Sequence, residues 1–225
     1  VFTCTMPAAE MSDIIKAQLI IPEADGTEKA SDTITYSVKK YCQHILNNSD
    51  SYDANTIAVI KKILNYGSYS QQYFSYNMAN LANDMLEDTE KTLTKQADLM
   101  KASSTFHANN VNGIKYFGKS LILRSKTDMR IYFELTDSTK KISDYTFKCD
   151  GKVLKPVQNG SKYYVDIADI TPAEYGKVFT VTVSGKNFVS SSVYDYCRSA
   201  VSSSTTDGKL KNLSVSMYEL GTTVQ

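Results

Sequence analysis

The strongest formal claim to chemistry belongs to Gly113-Ile114-Lys115-Tyr116-Phe117-Gly118-Lys119-Ser120, which matches the pattern GxxxxGK[ST]. A working phosphate loop needs a buried strand before it and a helix after it, so that backbone N–H groups converge on the phosphates. Here the polar, irregular run Ser103 to Asn112 precedes, and Leu121-Ile122-Leu123 reads as a strand. The expectation is therefore a turn at Gly118-Lys119 and no nucleotide site. The two histidines, His44 and His107, have no partners at metal-ligand or acid–base spacing. No GxSxG occurs, and the acids Asp166 and Asp169 read as a strand end rather than a glycosidase pair. Neither a metal, a cofactor nor a catalytic residue is expected, and the chain is read as no enzyme.

Cysteine supplies the remaining reactive side chains, at Cys4, Cys42, Cys149 and Cys197. The absence of CxxC excludes a zinc ribbon or a thioredoxin-type motif. Four cysteines allow three pairings, and spacing alone does not choose among them.

The elements that must carry these residues follow from periodicity. Ile14 to Ile21 and Asp32 to Thr35 read as strands, separated by an Asp25-Gly26 turn. Val38, Tyr41, Cys42, Ile45 and Leu46 make one apolar helix face, with Ser37 as N-cap. A second helix runs from Asp53 to Phe74 with two adjoining apolar stripes, Ile57, Ile60, Leu64, Gly67 and Phe74, then Val59, Ile63, Tyr66 and Tyr73. Its remaining face, with Asn65, Tyr69, Gln72 and Tyr76, is expected to be solvated. Residues 77–112 read as a partly helical connector.

From Gly113 the pattern becomes β, with strands at Ser120 to Leu123, Met129 to Leu135, Tyr145 to Cys149 and Val178 to Val183. Val153 to Gln158 and Lys162 to Ile167 read as one hairpin, closed by Asn159-Gly160 in a type I′ turn. The chain ends in two helices, one with Val193, Tyr196, Cys197, Ala200 and Val201 inward, the other with Leu210, Leu213, Met217, Leu220 and Val224 inward.

The two helical pairs resemble each other. Ser37 to Cys42 aligns with Ser192 to Cys197 at an offset of 155, and Tyr66-Gly67 with Leu220-Gly221 at 154. The expected fold is α+β: two related helical hairpins packed together, with an intervening antiparallel β-rich, sandwich-like segment. The expected boundaries are N-terminal strands at 1–35, a first hairpin at 36–76, the connector at 77–112, the β-rich segment at 113–190 and the second hairpin at 191–225. Cys42 and Cys197 fall at equivalent places on buried faces. One reading is a disulfide clamping the hairpins, with Cys4 and Cys149 as a second pair or free. The other is buried thiols acting as modest hydrophobes.

Charge excludes several partners. With 25 basic and 24 acidic residues, net +1, no basic cluster suggests nucleic acid. No apolar run is long enough to span a membrane, so no membrane insertion is expected. The chain starts at Val1 rather than Met, which suggests a trimmed fragment of a larger chain, and Val1 to Pro7 does not read as a signal peptide. Tyrosine is abundant, with 16 Tyr and no Trp. Tyrosines on helix faces suit protein recognition. The candidate contact residues are Asn65, Tyr69, Gln72 and Tyr76 on the second helix, and Tyr194, Asp195 and Arg198 on the third.

Several runs resemble a repeat module of large secreted surface proteins of gut clostridia. They are Thr35 to Tyr41, Ile45-Leu46-Asn47, Ile63 to Phe74, Gly113 to Gly118, Met129 to Phe133, Tyr145-Thr146-Phe147, Asp150-Gly151-Lys152 and Leu210 to Leu213. The resemblance spans residues 14–225. It implies a non-catalytic module of an extracellular or cell-surface chain, joined to other domains. Some surface proteins of this general kind bind antibody heavy-chain variable domains in a superantigen-like manner. The resemblance therefore implies a host protein, with immunoglobulin Fab as the sharpest candidate. A glycan-binding module and a structural spacer are the alternatives. The family pattern carries small or aliphatic residues where Cys42, Cys149 and Cys197 stand, so any disulfide would be particular to this chain.

Overall fold

The computed structural model describes residues 4–225. The fold is α+β with antiparallel sheets. The chain divides into two compact units, Ala8–Thr92 and Leu93–Gln225, the latter including the residues up to Pro7. The boundary falls inside the expected connector, whose two halves belong to different cores.

The N-terminal unit begins with a single 3-10 turn, Ala8–Glu10, followed by buried Met11. A two-stranded ribbon comes next, formed by β1 (Ile15–Ala17), β2 (Ile20–Pro22), β3 (Glu28–Ala30) and β4 (Ile34–Tyr36). β1 pairs with β4, and β2 with β3. Gly26 closes the tip at φ +84°, and Asp25 Oδ1 accepts from the Thr27 backbone N–H at 2.9 Å. The expected strand Ile14 to Ile21 is thus split in two at the bend where the Ser31 hydroxyl accepts the Leu19 N–H at 3.0 Å, the strand expected at Asp32 to Thr35 is β4, and β3 lies outside both expected strands.

Helix α1 (Val38–Asn47) starts where Ser37 Oγ accepts the Lys40 N–H, and α2 (Ala54–Phe74) where Asp53 accepts from Thr56. α2 stops at Ser75, which takes the left-handed conformation, φ 53°. The core joins Met11, Cys42, Ile45, Ile60, Leu64, Ala82 and Leu86. Gly67 lets Met11 pack directly on α2, since a Cβ there would collide with Met11 Sδ and the Met side chain would have to shift. Tyr41, expected inward, is exposed, and so is Phe74.

Residues 77–92 fold back on α2 and carry the short helix α3 (Asp88–Lys91). Polar side chains attach this return. Gln71 donates to Asn80 O at 3.0 Å and accepts the Ala82 N–H at 2.7 Å. Asn65 donates to Glu90 O at 2.7 Å and accepts from Asn83 at 2.8 Å. The α2 face expected to be solvated is therefore largely an internal seam.

The second unit opens with α4 (Gln96–Lys101), whose Leu99 is fully buried. Its strands are β5 (His107–Ala108), β6 (Ile114–Leu123), β7 (Thr127–Leu135), β8 (Phe147–Cys149), β9 (Lys152–Leu154), β10 (Val157–Asn159), β11 (Lys162–Ile170), β12 (Phe179–Val183) and β13 (Lys186–Ser191). They form a four-stranded sheet, β10-β11-β7-β6, and a five-stranded sheet, β5-β13-β12-β8-β9. The inner faces meet as a sandwich, with Phe133 of β7 stacked on Phe147 of β8 at 4.8 Å and edge-on to Phe188 of β13 at 6.1 Å.

Two details differ from the expected pattern. Val153 to Gln158 is not one strand: the chain breaks at Pro156, which has no N–H for a ladder, and β9 and β10 join different sheets. The Asn159↔Lys162 pair closes around Gly160-Ser161, with positive φ at Gly160 only, the signature of type II′. The type I′ signature falls instead on Asp150-Gly151, φ 49° and 77°.

Helices α5 (Val193–Ser202) and α6 (Gly208–Thr223) pack on each other and complete the unit. Ser192 and Asp195 make a reciprocal capping box on α5, and Asp207 caps α6. Glu219, fully buried on α6, accepts the N–H groups of Thr94 and Lys95 at 2.6 and 3.0 Å and so ties down the entry to α4.

Candidate binding surfaces

The residues singled out from sequence are divided between the two units. Asn65, Tyr69, Gln72 and Tyr76 lie in the N-terminal unit, and Tyr194, Asp195 and Arg198 in the sandwich unit. Asn65 is buried and its amide holds the 77–92 return. The Tyr69 hydroxyl donates to Lys91 O at 3.0 Å, and Gln72 donates to Ser68 Oγ at 3.2 Å. Tyr76 is exposed and donates to Asp13 at 2.6 Å, and that carboxylate raises its pKa. Asp195 is buried, with five donors around it: the Ser192 N–H and hydroxyl, the Thr105 N–H and hydroxyl, and the Ser104 hydroxyl. Tyr194 is half-buried beside Gly176 and Gly221, edge-on to Tyr218 at 4.8 Å, and burial raises its pKa. Of the set, Tyr76 is exposed, Tyr69, Gln72, Tyr194 and Arg198 are half-buried, and Asn65 and Asp195 are buried. Sequence periodicity misplaced Asn65 and Asp195 because a polar residue whose hydrogen bonds are satisfied can be buried.

The thiols are all free, which corrects the clamp reading. Cys42 lies in the core of the N-terminal unit, and Cys149 and Cys197 are buried in the sandwich unit. Burial pushes Cys42 and Cys149 up to about 11 and Cys197 to about 12. Such thiols stay protonated and are poor nucleophiles or metal ligands. Cys4 is exposed. His44 and His107 are exposed, and no group of three metal-ligating side chains occurs among the described residues.

The GxxxxGK[ST] run does not form a phosphate loop. Apart from Gly113 it lies within β6, with a bulge between Tyr116 and Gly118 instead of the expected turn. The bulge leaves Phe117 exposed and turns Lys119 inward. Lys119 Nζ donates to Ser191 Oγ at 2.6 Å and sits 4.4 Å from the Phe106 ring. Burial lowers its pKa to about 8, with Asp195 acting in the opposite direction. It lines a cleft of about 370 Å³ with Phe106, Tyr116, Tyr196, Ala200 and Leu210.

The outer face of the four-stranded sheet is the chemically distinctive surface. Strand alternation places Arg130 and Tyr132 of β7 outward, directly opposite Asp166 and Tyr164 of β11. Arg130 makes a two-pronged bond to Asp166, with both N–O distances 2.8 Å, and its guanidinium lies 3.6 Å from the Tyr164 ring centroid. Tyr132 meets Tyr164 edge-on, with an interplanar angle of 62°. Phe117 continues the face under the Lys162 ammonium, and exposed Val157 borders Tyr164 on the far side. From sequence these tyrosines fall in expected strands, but none is singled out as a contact residue. The signal was the alternation along Met129 to Leu135 read together with its cross-strand partner.

No family model, no curated protein and no solved structure matches this chain. No helix among the described residues is long and apolar enough to cross a membrane.

Proposed function

We propose that this chain is a non-catalytic binding module of a secreted or cell-surface protein, and that its sandwich unit recognises a host protein through the outer face of the four-stranded sheet. The observation that carries this is the cluster of Phe117, Arg130, Tyr132 and Tyr164. Aromatic residues and arginine are enriched at protein interfaces, and tyrosine and arginine also at their energetic centres. Here Arg130 is already held in place by Asp166, so little side-chain freedom is lost on binding. The edge-on tyrosines offer no flat platform for a sugar ring, which favours a protein over a glycan.

The partner proposed is the immunoglobulin heavy-chain variable domain, after the resemblance to clostridial surface modules. The surface rests on geometry and the partner on that resemblance. The experiment is biolayer interferometry of the chain against Fab and Fc separately, with Phe117→Ala and Tyr132→Ala as variants. Saturable Fab binding that varies with heavy-chain family and weakens at least tenfold in the variants supports the reading. No Fab binding at micromolar concentration excludes the partner, and equal binding by the variants excludes the surface.

A further inference from the structure

The N-terminal ribbon carries the same construction as the closing hairpin of the sandwich unit. In the sandwich unit a 3-10 turn, Pro172–Glu174, is followed by Tyr175, then β12, β13, the N-cap Ser192 and α5. In the N-terminal unit the 3-10 turn Ala8–Glu10 is followed by Met11, then the ribbon, the N-cap Ser37 and α1. The Tyr194 N–H donates to Tyr175 O at 3.2 Å, and the Lys39 N–H donates to Met11 O at 2.8 Å. A Cβ at Gly221 would crowd Tyr175, and one at Gly67 would strike Met11.

The strand registers agree residue for residue. Phe179↔Ser191, Thr180↔Ser190 and Val181↔Val189 correspond to Ile15↔Tyr36, Lys16↔Thr35 and Ala17↔Ile34. The polarity agrees as well: the middle pair is polar in both hairpins, and apolar side chains dominate the flanking pairs.

The surroundings do not agree. β12 has β8 on its free edge, β13 has β5, and the inner face of this hairpin meets the four-stranded sheet. The ribbon has no further strand on either edge among the described residues. Val189 is 1% exposed, while its counterpart Ile34 is 70% exposed. Val183 is fully buried, while Leu19 is 54% exposed. Ile14, Ile20, Ile21 and Tyr36 are also exposed, so large apolar side chains are concentrated on one short ribbon. Isolated exposed apolar residues are ordinary, but several on one short ribbon with unpaired strand edges mark a contact surface.

We infer that ribbon β1–β4 is the closing hairpin of a second β-sandwich, and that its occupant is a partner segment built like residues 107–170 of this chain. That segment adds strands to both ribbon edges and lays a sheet over Ile15, Ala17, Leu19 and Ile34. A second copy of this chain does not fit, because its own 107–170 segment is already committed to β12 and β13. The partner must carry the strands of a sandwich without a closing hairpin of its own. This inference uses a different surface from the proposed binding face and stands apart from it.

The test keeps the chain intact and fuses a duplicate of residues 104–170 ahead of residue 1 through a flexible linker, which holds it at millimolar effective concentration. Amide hydrogen exchange is then read in the ribbon. Exchange at residues 15–18 and 34–36 slows at least tenfold in the fusion relative to the parent. In the fusion carrying Leu19→Asp and Ile34→Asp, exchange at residues 15–18 returns to the parent rate. Both positions are solvent-facing in the parent, so the parent with the same two changes keeps its unfolding midpoint and serves as the folding control. Equal exchange in fusion and parent, or equal protection with and without the aspartates, overturns the inference.

Discussion

Replacing Lys119 by Met tests the electrostatics of the sandwich unit. Moving the amine from its ordinary 10.5 to about 8 corresponds to about 3 kcal/mol against the charged form, at ~1.4 kcal/mol per pH unit. The amine lines an open cleft, so solvent screening reduces the effective penalty to about 1–2 kcal/mol. The substitution also removes the bond to Ser191, a loss of about 1 kcal/mol. Ser191 Oγ keeps a second contact, to Ser192 O at 3.4 Å. Methionine has nearly the same length and suits the aromatic walls, so Lys119→Met stabilises the chain by up to about 1 kcal/mol at pH 6.5. The folded pKa lies below the unfolded one, so the unfolded state binds more protons between about 8 and 10.5. Wild-type stability therefore rises relative to the variant across that window. Urea unfolding followed by far-ultraviolet circular dichroism at pH 6.5 and 9.5 reads this directly. The variant's advantage shrinks or reverses at the higher pH. A difference between the two proteins that does not change with pH refutes the reasoning.

Thiol titration of the native chain detects one fast-reacting group, Cys4, and all four after denaturation; two or more fast native thiols contradict the buried placements. Asn65→Ala removes an amide that bonds both Glu90 O and Asn83, and costs about 2–3 kcal/mol in urea unfolding. A loss below about 0.5 kcal/mol would return Asn65 to the solvated face. Gly221→Ala forces a methyl group against Tyr194, Pro172 O and Tyr175 Cβ and lowers stability by about 1–3 kcal/mol, whereas Gly208→Ala, which has open space, changes little. Equal midpoints for these two variants would show that the helix does not pack closely there.

What the sequence disclosed follows physical lines. The first two long helices were legible because their caps, Ser37 and Asp53, are local features, and all four because Cys42, Ile45, Cys197 and Leu213 recur at helical spacing on buried faces. The strands of the sandwich showed through alternation, most clearly along β7. β13 was missed because Lys186-Asn187 opens it with polar residues, although Phe188 and Val189 then enter the core. The seam between α2 and residues 77–92 was invisible to hydrophobic pattern because it is built of satisfied amides, Asn65, Gln71 and Asn83. Sequence matched the two halves through their helices and through the strand and Ser, Ser37 or Ser192, that precede each pair. The agreement of the hairpins depends on registers that differ in offset, 164 on the first strand and 155 on the second, because the ribbon contains an extra loop of β2 and β3. The exposed apolar residues of that ribbon read from sequence simply as strands, since periodicity indicates which residues share a face but not whether that face is covered.

The most direct test of the central claim is binding of immobilised Fab by the chain and by its Tyr132→Ala variant, measured by interferometry with Fc as control. The account predicts saturable binding to Fab and not to Fc, weakened at least tenfold by the substitution while the unfolding free energy falls by no more than about 1 kcal/mol, the worth of one aromatic cross-strand pair. Absence of Fab binding at micromolar concentration, or binding that the substitution leaves unchanged, would contradict it.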